Sequence, residues 1–283
     1  MTAVWSNKLA LNRGLALISV LWLVAALSII ITGVAQTVKT EVRTVSQARQ
    51  AVQGGAIGDA AIQIALQAAK VAPDKFNAKA RVMGLDFQGL RIRVESRPLT
   101  GFLDINVAPK SLLQAAFQYA GAMEPKAAEM LAQATIDHRA KYGKPGVQNS
   151  FEVPEDLLPV PGMNYDLYVK LKNIITTDSN SGGKVNPYAA PYELLIVLAE
   201  GNVALAAKFL AMRDAAAEVL DTTSFNGGFI DNSTSSRIHF SASVPLQGGQ
   251  WVNSFRTVDL SGGEKEGFPW RTIYSGYALK HHP

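Results

Sequence analysis

Cysteine is absent from the 283 residues. That excludes disulfides, thiolate catalysis and cysteine-based metal sites, while leaving the compartment open. Histidine is scarce: His138, His239, His281 and His282 are the whole set, and none stands at a helical metal-ligand spacing from another. The terminal pair reads as a frayed tail. Gly182-Gly183-Lys184 runs into Val185 without the upstream glycine of a phosphate loop, and no Gly-x-Ser-x-Gly elbow occurs. Adjacent acids such as Glu155-Asp156 are expected to face solvent. These absences argue against an enzyme. Charge of one sign is lacking too, with 27 basic side chains against 23 acidic ones and no basic arm. The electrostatic case for nucleic acid is therefore weak.

The most telling absence is of charge between Leu15 and Gln36. The run LALISVLWLVAALSIIITGVA fills that stretch, and about 20 apolar residues span a bilayer. Ser19, Ser28, Thr32 and Gly33 are tolerable there, because small and hydroxylated residues pack against neighbouring helices. A short polar leader ending in Arg13-Gly14 precedes the run. A secretory signal sets its apolar region between the basic end and the cleavage site. Here both the basic end and the glycine precede the apolar run, so a cut between Gly14 and Leu15 would remove the leader and keep the helix. That is the processing logic of type IV prepilins; an ordinary single-pass anchor is the alternative on this segment alone. Lys8 and Arg13 before the span, and Lys39, Arg43 and Arg49 after it, leave the orientation open.

Beyond the span Val34, Val38, Val42, Val45, Ala48 and Val52 recur three and four apart, the signature of one apolar helical face. Gly54, Gly55 and Gly58 weaken the pattern by about 1 kcal/mol each. Ile62, Leu66 and Ala69 resume it before Pro73. A helix from Leu15 to about Lys70 would be roughly 80 Å long, half in lipid and half against a soluble domain.

The middle of the chain repeats itself. DINVAPKSLLQAAF from Asp104 aligns with NPYAAPYELLIVLA from Asn186 at an offset of 82 residues. Asp104 matches Asn186, Ala108-Pro109 matches Ala190-Pro191, and Leu112-Leu113 matches Leu194-Leu195. Each proline is expected at a helix's first position, where its missing N–H costs nothing, after an Asp or Asn that holds a turn through its side chain. Between the copies Leu157, Val160, Leu167 and Leu171 flank a Pro161-Gly162 turn. A Val-Pro-Gly hairpin of this kind occurs in helix-hairpin-helix modules that bind DNA phosphate. The flanking Glu152, Glu155, Asp156 and Asp166 would repel phosphate, so a tight turn in a helical bundle is the preferred reading. In the last third, alternation over Arg237–Ser241, Trp251–Val258 and Trp270–Tyr274, with glycine turns between, predicts three antiparallel strands. Leu90–Glu95 predicts an earlier one.

Taken together, RGLALISVLW, DINVAP, NPYAAP, LLPVPGM and the C-terminal strands resemble one family over nearly the whole mature chain: protein K of the type II secretion system, a minor pseudopilin. The resemblance implies an α+β fold, with a pilin-like long N-terminal helix packed on an antiparallel sheet. It also implies a large inserted α-helical domain of SAM-like or helix-hairpin-helix-like character. The expected layout is a leader at 1–14, a transmembrane helix at 15–36, and the outer half of the helix with the first strands at 37–98. The inserted helical domain would take 99–222, and the C-terminal strands 223–283.

It further implies cleavage by a prepilin peptidase between Gly14 and Leu15, N-methylation of Leu15, and a single-pass place in the bacterial inner membrane with the soluble part in the periplasm. The expected partners are the minor pseudopilins of types I, J and H, with secreted substrates as a further candidate and no nucleic acid. Most pilin-like proteins carry a glutamate at the fifth mature position. Here it is Ser19, and family K characteristically lacks the glutamate. A carboxylate in lipid is costly unless it meets a partner charge. A subunit without one is suited to the end of a filament, so the expected role is to cap the pseudopilus tip. Asp178-Ser179-Asn180-Ser181 reads first as a flexible solvated loop; members of the family bind calcium in the helical domain, and if calcium binds here Asp178 is the leading candidate ligand. The alternatives are a membrane-anchored helix-hairpin-helix DNA-binding protein of the competence type and a major pilin-like subunit that polymerises alone.

Overall fold

The computed structural model describes residues 8–142, 151–179, 181–215, 220–246, 249–262 and 269–281. The chain divides into two units, Met1–Gln53 and Gly54–Pro283. Helix α1, Lys8–Val71, takes in Arg13, Gly14 and Leu15 and passes the three glycines without a break. Among the described residues it is the one helix long and apolar enough to cross a membrane. Two of its hydroxyls bond within the helix: Ser28 donates to the Val24 carbonyl at 2.8 Å and Thr32 to that of Ser28 at 2.7 Å. Val34, Val38, Val42 and Val45 are exposed, leaving the expected apolar stripe open along the helix.

In the second unit the remainder of α1 is followed by strands β1, Arg81–Phe87, and β2, Leu90–Pro98. The helical body comes next: β3 Leu103–Asp104, α2 Lys110–Ala115, α3 Pro125–Tyr142, α4 Tyr165–Leu171, β4 Ile175–Thr176, α5 Tyr192–Leu198 and α6 Val203–Asp214. Strands β5 Arg237–Pro245, β6 Gln250–Asp259 and β7 Arg271–His281 close the chain. The antiparallel sheet has the order β1-β2-β5-β6-β7, so the helical body is inserted between two adjacent strands. Alternation in the sequence predicts β2 and the last three strands, but not β1, an edge strand with most residues exposed on both faces.

Two apolar cores result. Ile62 and Leu66 of α1 meet Ile92 and Val94 of β2, Ile238, Phe240 and Val244 of β5, and Val258 of β6. The helical body has its own core, around Leu112, Leu113, Phe117, Leu131, Phe151, Leu194, Leu195 and Phe209, and it continues to Phe225 and Phe229. The glycines of α1 account for the closeness of helix and sheet. A Cβ on Gly54 would meet Leu246 and Val252, and one on Gly58 would fall closer than 3.0 Å to Ser254, whose hydroxyl donates to the Gly55 carbonyl at 3.1 Å.

Candidate functional site

The repeated segments are one local structure built twice. The Asp104 Oδ1 accepts the Asn106 amide at 2.9 Å, and Asn186 Oδ1 accepts the Tyr188 amide at 2.9 Å. Each side chain thus closes its own turn, as the residue types foretell. Sequence reasoning sets each proline at the first helical position, but the structure sets it one residue earlier. Pro109 and Pro191 are the extended caps of α2 and α5, with ψ of 156° and 162°. Their carbonyls accept the first helical amides, Leu112 and Leu113 in one copy and Leu194 and Leu195 in the other.

An arginine from the helix after α2 or α5 locks each turn. Arg139 of α3 donates to the carbonyls of Ile105 at 2.5 Å and Ala108 at 2.8 Å. Arg213 of α6 donates to Pro187 at 3.3 Å and Ala190 at 2.6 Å. Those carbonyl pairs are again 82 residues apart, yet the arginines are not, so the alignment could not have found them. Burial holds both guanidinium groups at about 10, below the usual arginine value. For Arg213 the charge of Arg97 adds to the lowering. A parallel pairing closes each copy: β3 with β4 in the first, and Val185 with Ile230 in the second.

The acidic hairpin is occupied with its own structure. Asp156 Oδ2 accepts the amides of Glu152 and Val153, Glu155 accepts the Tyr168 hydroxyl at 2.7 Å, and Asn164 caps α4. Gly162 takes a positive φ of 95° at the turn. The Lys184 ammonium donates to the Gly227 carbonyl at 3.2 Å.

Asp178 has a cationic partner. Its carboxylate pairs with Arg237 at the start of β5, and Arg237 also reaches Asp259 at 3.3 Å. The neighbouring Asp104 spends Oδ2 on the amide and hydroxyl of Ser179. Among the described residues no group of three or more acidic or histidine side chains could hold a metal ion. Calcium asks for six to eight oxygens, carbonyls among them; the Asp178 carboxylate is engaged by Arg237, and Asn180 lies outside the described residues. His138 stacks on Phe151, and His239 lies among Phe102, Phe255 and Tyr274. His282 and the side chain of His281 lie outside the described residues. Gly14 and Leu15 fall on the helical backbone of α1, with Leu15's side chain outside the description.

No known family model matches the chain, and no curated protein matches it. Among solved structures, it matches a chain in the crystal structure of the GspK-GspI-GspJ complex from the type 2 secretion system of enterotoxigenic Escherichia coli. The TM-score is 0.50 at 13% identity, over 84% of this chain and 99% of that one. At this identity the likeness is one of fold. The chain has that α+β, pseudopilin-like architecture: a long N-terminal helix, an antiparallel sheet and further helices.

Proposed function

We propose that this chain is a minor pseudopilin of a type II secretion system, of the protein K kind, and that it caps the pseudopilus tip. The observation that carries this reading is the insertion of a complete helical body between β2 and β5 of a pilin-like sheet, in a fold shared over 99% of the matched chain. The N-terminus supports it independently, since Arg13-Gly14 stands directly before the uncharged run of α1. In this reading prepilin peptidase cuts between Gly14 and Leu15 and the new amine of Leu15 is methylated. The helix stays in the bacterial inner membrane with the second unit in the periplasm.

Ser19 leaves this subunit without the carboxylate that would meet a neighbour's N-terminal amine. Burying such a carboxylate in lipid is unfavourable unless it finds that charge, and a terminal position removes the need for it. The partners are minor pseudopilins of types I, J and H. The chain acts as a structural subunit rather than an enzyme, supporting export of folded proteins across the outer membrane.

The test is N-terminal sequencing and intact mass after expression with and without a prepilin peptidase, followed by co-purification with the type I, J and H subunits. A chain beginning at Leu15 that co-purifies with them supports the proposal. Retention of Met1 to Gly14 in the presence of active peptidase would overturn it. Salt-sensitive retention on duplex DNA would favour the competence-type reading instead.

A further inference from the structure

The two copied turns differ in the polarity of one side chain, and that difference coincides with what each turn touches. Asp104 is an acceptor, and it faces donors: the amide of Ser179 at 2.8 Å and its hydroxyl at 2.9 Å, inside the helical body. Asn186, its counterpart, is only 1% exposed and turns a donor outward. With Oδ1 occupied by the Tyr188 amide, Nδ2 gives its hydrogens to the carbonyls of Ala78 at 2.8 Å and Ser233 at 2.9 Å. Ala78 precedes β1 and Ser233 precedes β5, so both acceptors belong to the approaches to the sheet.

Further bonds converge on the same turn. The Asn186 amide donates to the Thr100 carbonyl at 2.8 Å, and the Ala80 amide donates to the Tyr188 carbonyl at 3.1 Å. Arg97 of β2, itself nearly buried, donates to the Ala189 carbonyl. Lys79 lies 5.3 Å from the centre of the Tyr188 ring. The two apolar cores share no residue; here they are joined by hydrogen bonds to backbone carbonyls.

We propose that the second copy's turn is a latch that fixes the helical body on the sheet, with the two Nδ2 hydrogens of Asn186 as its key, and that it can open while both cores stay folded. An acceptor at this position would confront the carbonyls of Ala78 and Ser233 with a third oxygen. Buried carbonyls left without a donor destabilise the joint they close. The same substitution is nearly isosteric, so packing around the site is preserved. An aspartate such as Asp104 could not serve in the place of Asn186, because the groups facing it there, the carbonyls of Ala78 and Ser233, are acceptors. The inference holds whether or not the chain is a pseudopilin.

Hydrogen exchange on the full chain in detergent micelles tests it, comparing wild type with Asn186→Asp, Asp104→Asn and Thr100→Val. The amide of Ala80 reports the joint. Those of Leu113 and Leu195 report the helical core, and that of Val94 the sheet. Asn186→Asp is expected to speed exchange at Ala80 about tenfold to a hundredfold while the three core amides keep their wild-type rates. Asp104→Asn should leave Ala80 unchanged. Thr100→Val removes only the hydroxyl bond to Ser233, 3.3 Å long, and should accelerate Ala80 by less, in the same direction. That milder variant supplies the reading if Asn186→Asp does not fold. A uniform acceleration across Ala80, Leu113, Leu195 and Val94 would overturn the latch, since Asn186 would then be an ordinary stabilising residue. A wild-type rate at Ala80 in Asn186→Asp, or in Thr100→Val where that is the variant that folds, would also overturn it.

Discussion

Gly101 and Gly183 stand 82 residues apart, and each lies against the turn of the opposite copy. A Cβ on Gly101 would fall closer than 3.0 Å to the Ala189 carbonyl, and one on Gly183 would do the same at the Val107 carbonyl. Ala189 and Val107 are themselves 82 residues apart. The contact is therefore reciprocal, the pattern expected of two like units facing each other about an approximate two-fold axis. The helical body is a duplicated element whose halves meet backbone to backbone, at positions where any side chain would hold them apart.

Gly101→Ala should then destabilise the protein by about 1–3 kcal/mol through overpacking. Gly183→Ala should cost more, because its φ of 84° also disfavours a Cβ. Gly182→Ala, with nothing within 4 Å of the added atom, should stay within about 0.5 kcal/mol of wild type. Denaturant unfolding of the full chain in mild detergent measures all three. Equal midpoints for Gly101→Ala and Gly182→Ala would dismiss the reciprocal contact.

The arginines offer a second comparison. Arg139→Met leaves the carbonyls of Ile105 and Ala108 without their charged donor, and a loss of about 2–3 kcal/mol is expected. Arg139→Lys should recover less than half of this, because an ammonium has no planar fork to reach two carbonyls. Arg213→Met should be milder than Arg139→Met, since it also relieves the repulsion with Arg97 that contributes to the lowered value of Arg213. The same unfolding experiment ranks the three variants. Arg213→Met as the most damaging of them would show that the turns are not equivalent.

Glycine in α1 gives a test of opposite sign to intuition. Alanine is preferred over glycine in a helix by about 1 kcal/mol, yet Gly58→Ala should destabilise, because Ser254 occupies the space. Coupling with Ser254→Gly identifies the cause. The double variant should be more stable than the sum of the single changes predicts, by about 1 kcal/mol or more. Additive effects would mean that the clash is absorbed elsewhere.

What the sequence made legible is local. The apolar run of α1, the alternation of β2 and the last strands, and the Asx-turn with Ala-Pro ahead of each helix all follow from side-chain type at close spacing. What it hid depends on distant partners. Gly101 and Gly183 carry no motif, and their need for a missing Cβ comes from a carbonyl some 80 residues away. Arg139 and Arg213 escape the repeat because the segments before them differ in length, although their target carbonyls keep the offset. Strand β1 lacks the half-buried alternation that marks a strand, since it lies at the sheet edge. At Asp178 the residues read as a solvated loop and the family resemblance raised calcium, and only the fold reveals that Arg237 takes the carboxylate.

His239 sets the response to acid. It projects from β5 beneath Phe102, bonded to the Thr257 hydroxyl at 2.9 Å with the Tyr274 hydroxyl 3.4 Å away. Burial, with a further contribution from the charge of Arg97, lowers its imidazole to about 4 from the usual 6.5. A depressed folded-state value means that the unfolded chain binds the proton more tightly, so the contribution is complete above about pH 6.5. It is lost as pH falls toward 4, and amounts to about 3 kcal/mol at most. Asp259 acts in a lower window. Burial alone would raise its carboxyl, but hydrogen bonds from Ser261, Ser236 and Arg237 outweigh that and hold it at about 2. Its contribution therefore persists until pH falls below the ordinary aspartate range. Wild-type stability should decline between pH 6.5 and 4, and His239→Gln, of similar size and able to keep a bond to Thr257, should flatten that decline while leaving the fall below pH 4. Unfolding midpoints measured from pH 3 to 8 decide the matter: parallel wild-type and His239→Gln curves above pH 4 would remove the histidine from the account.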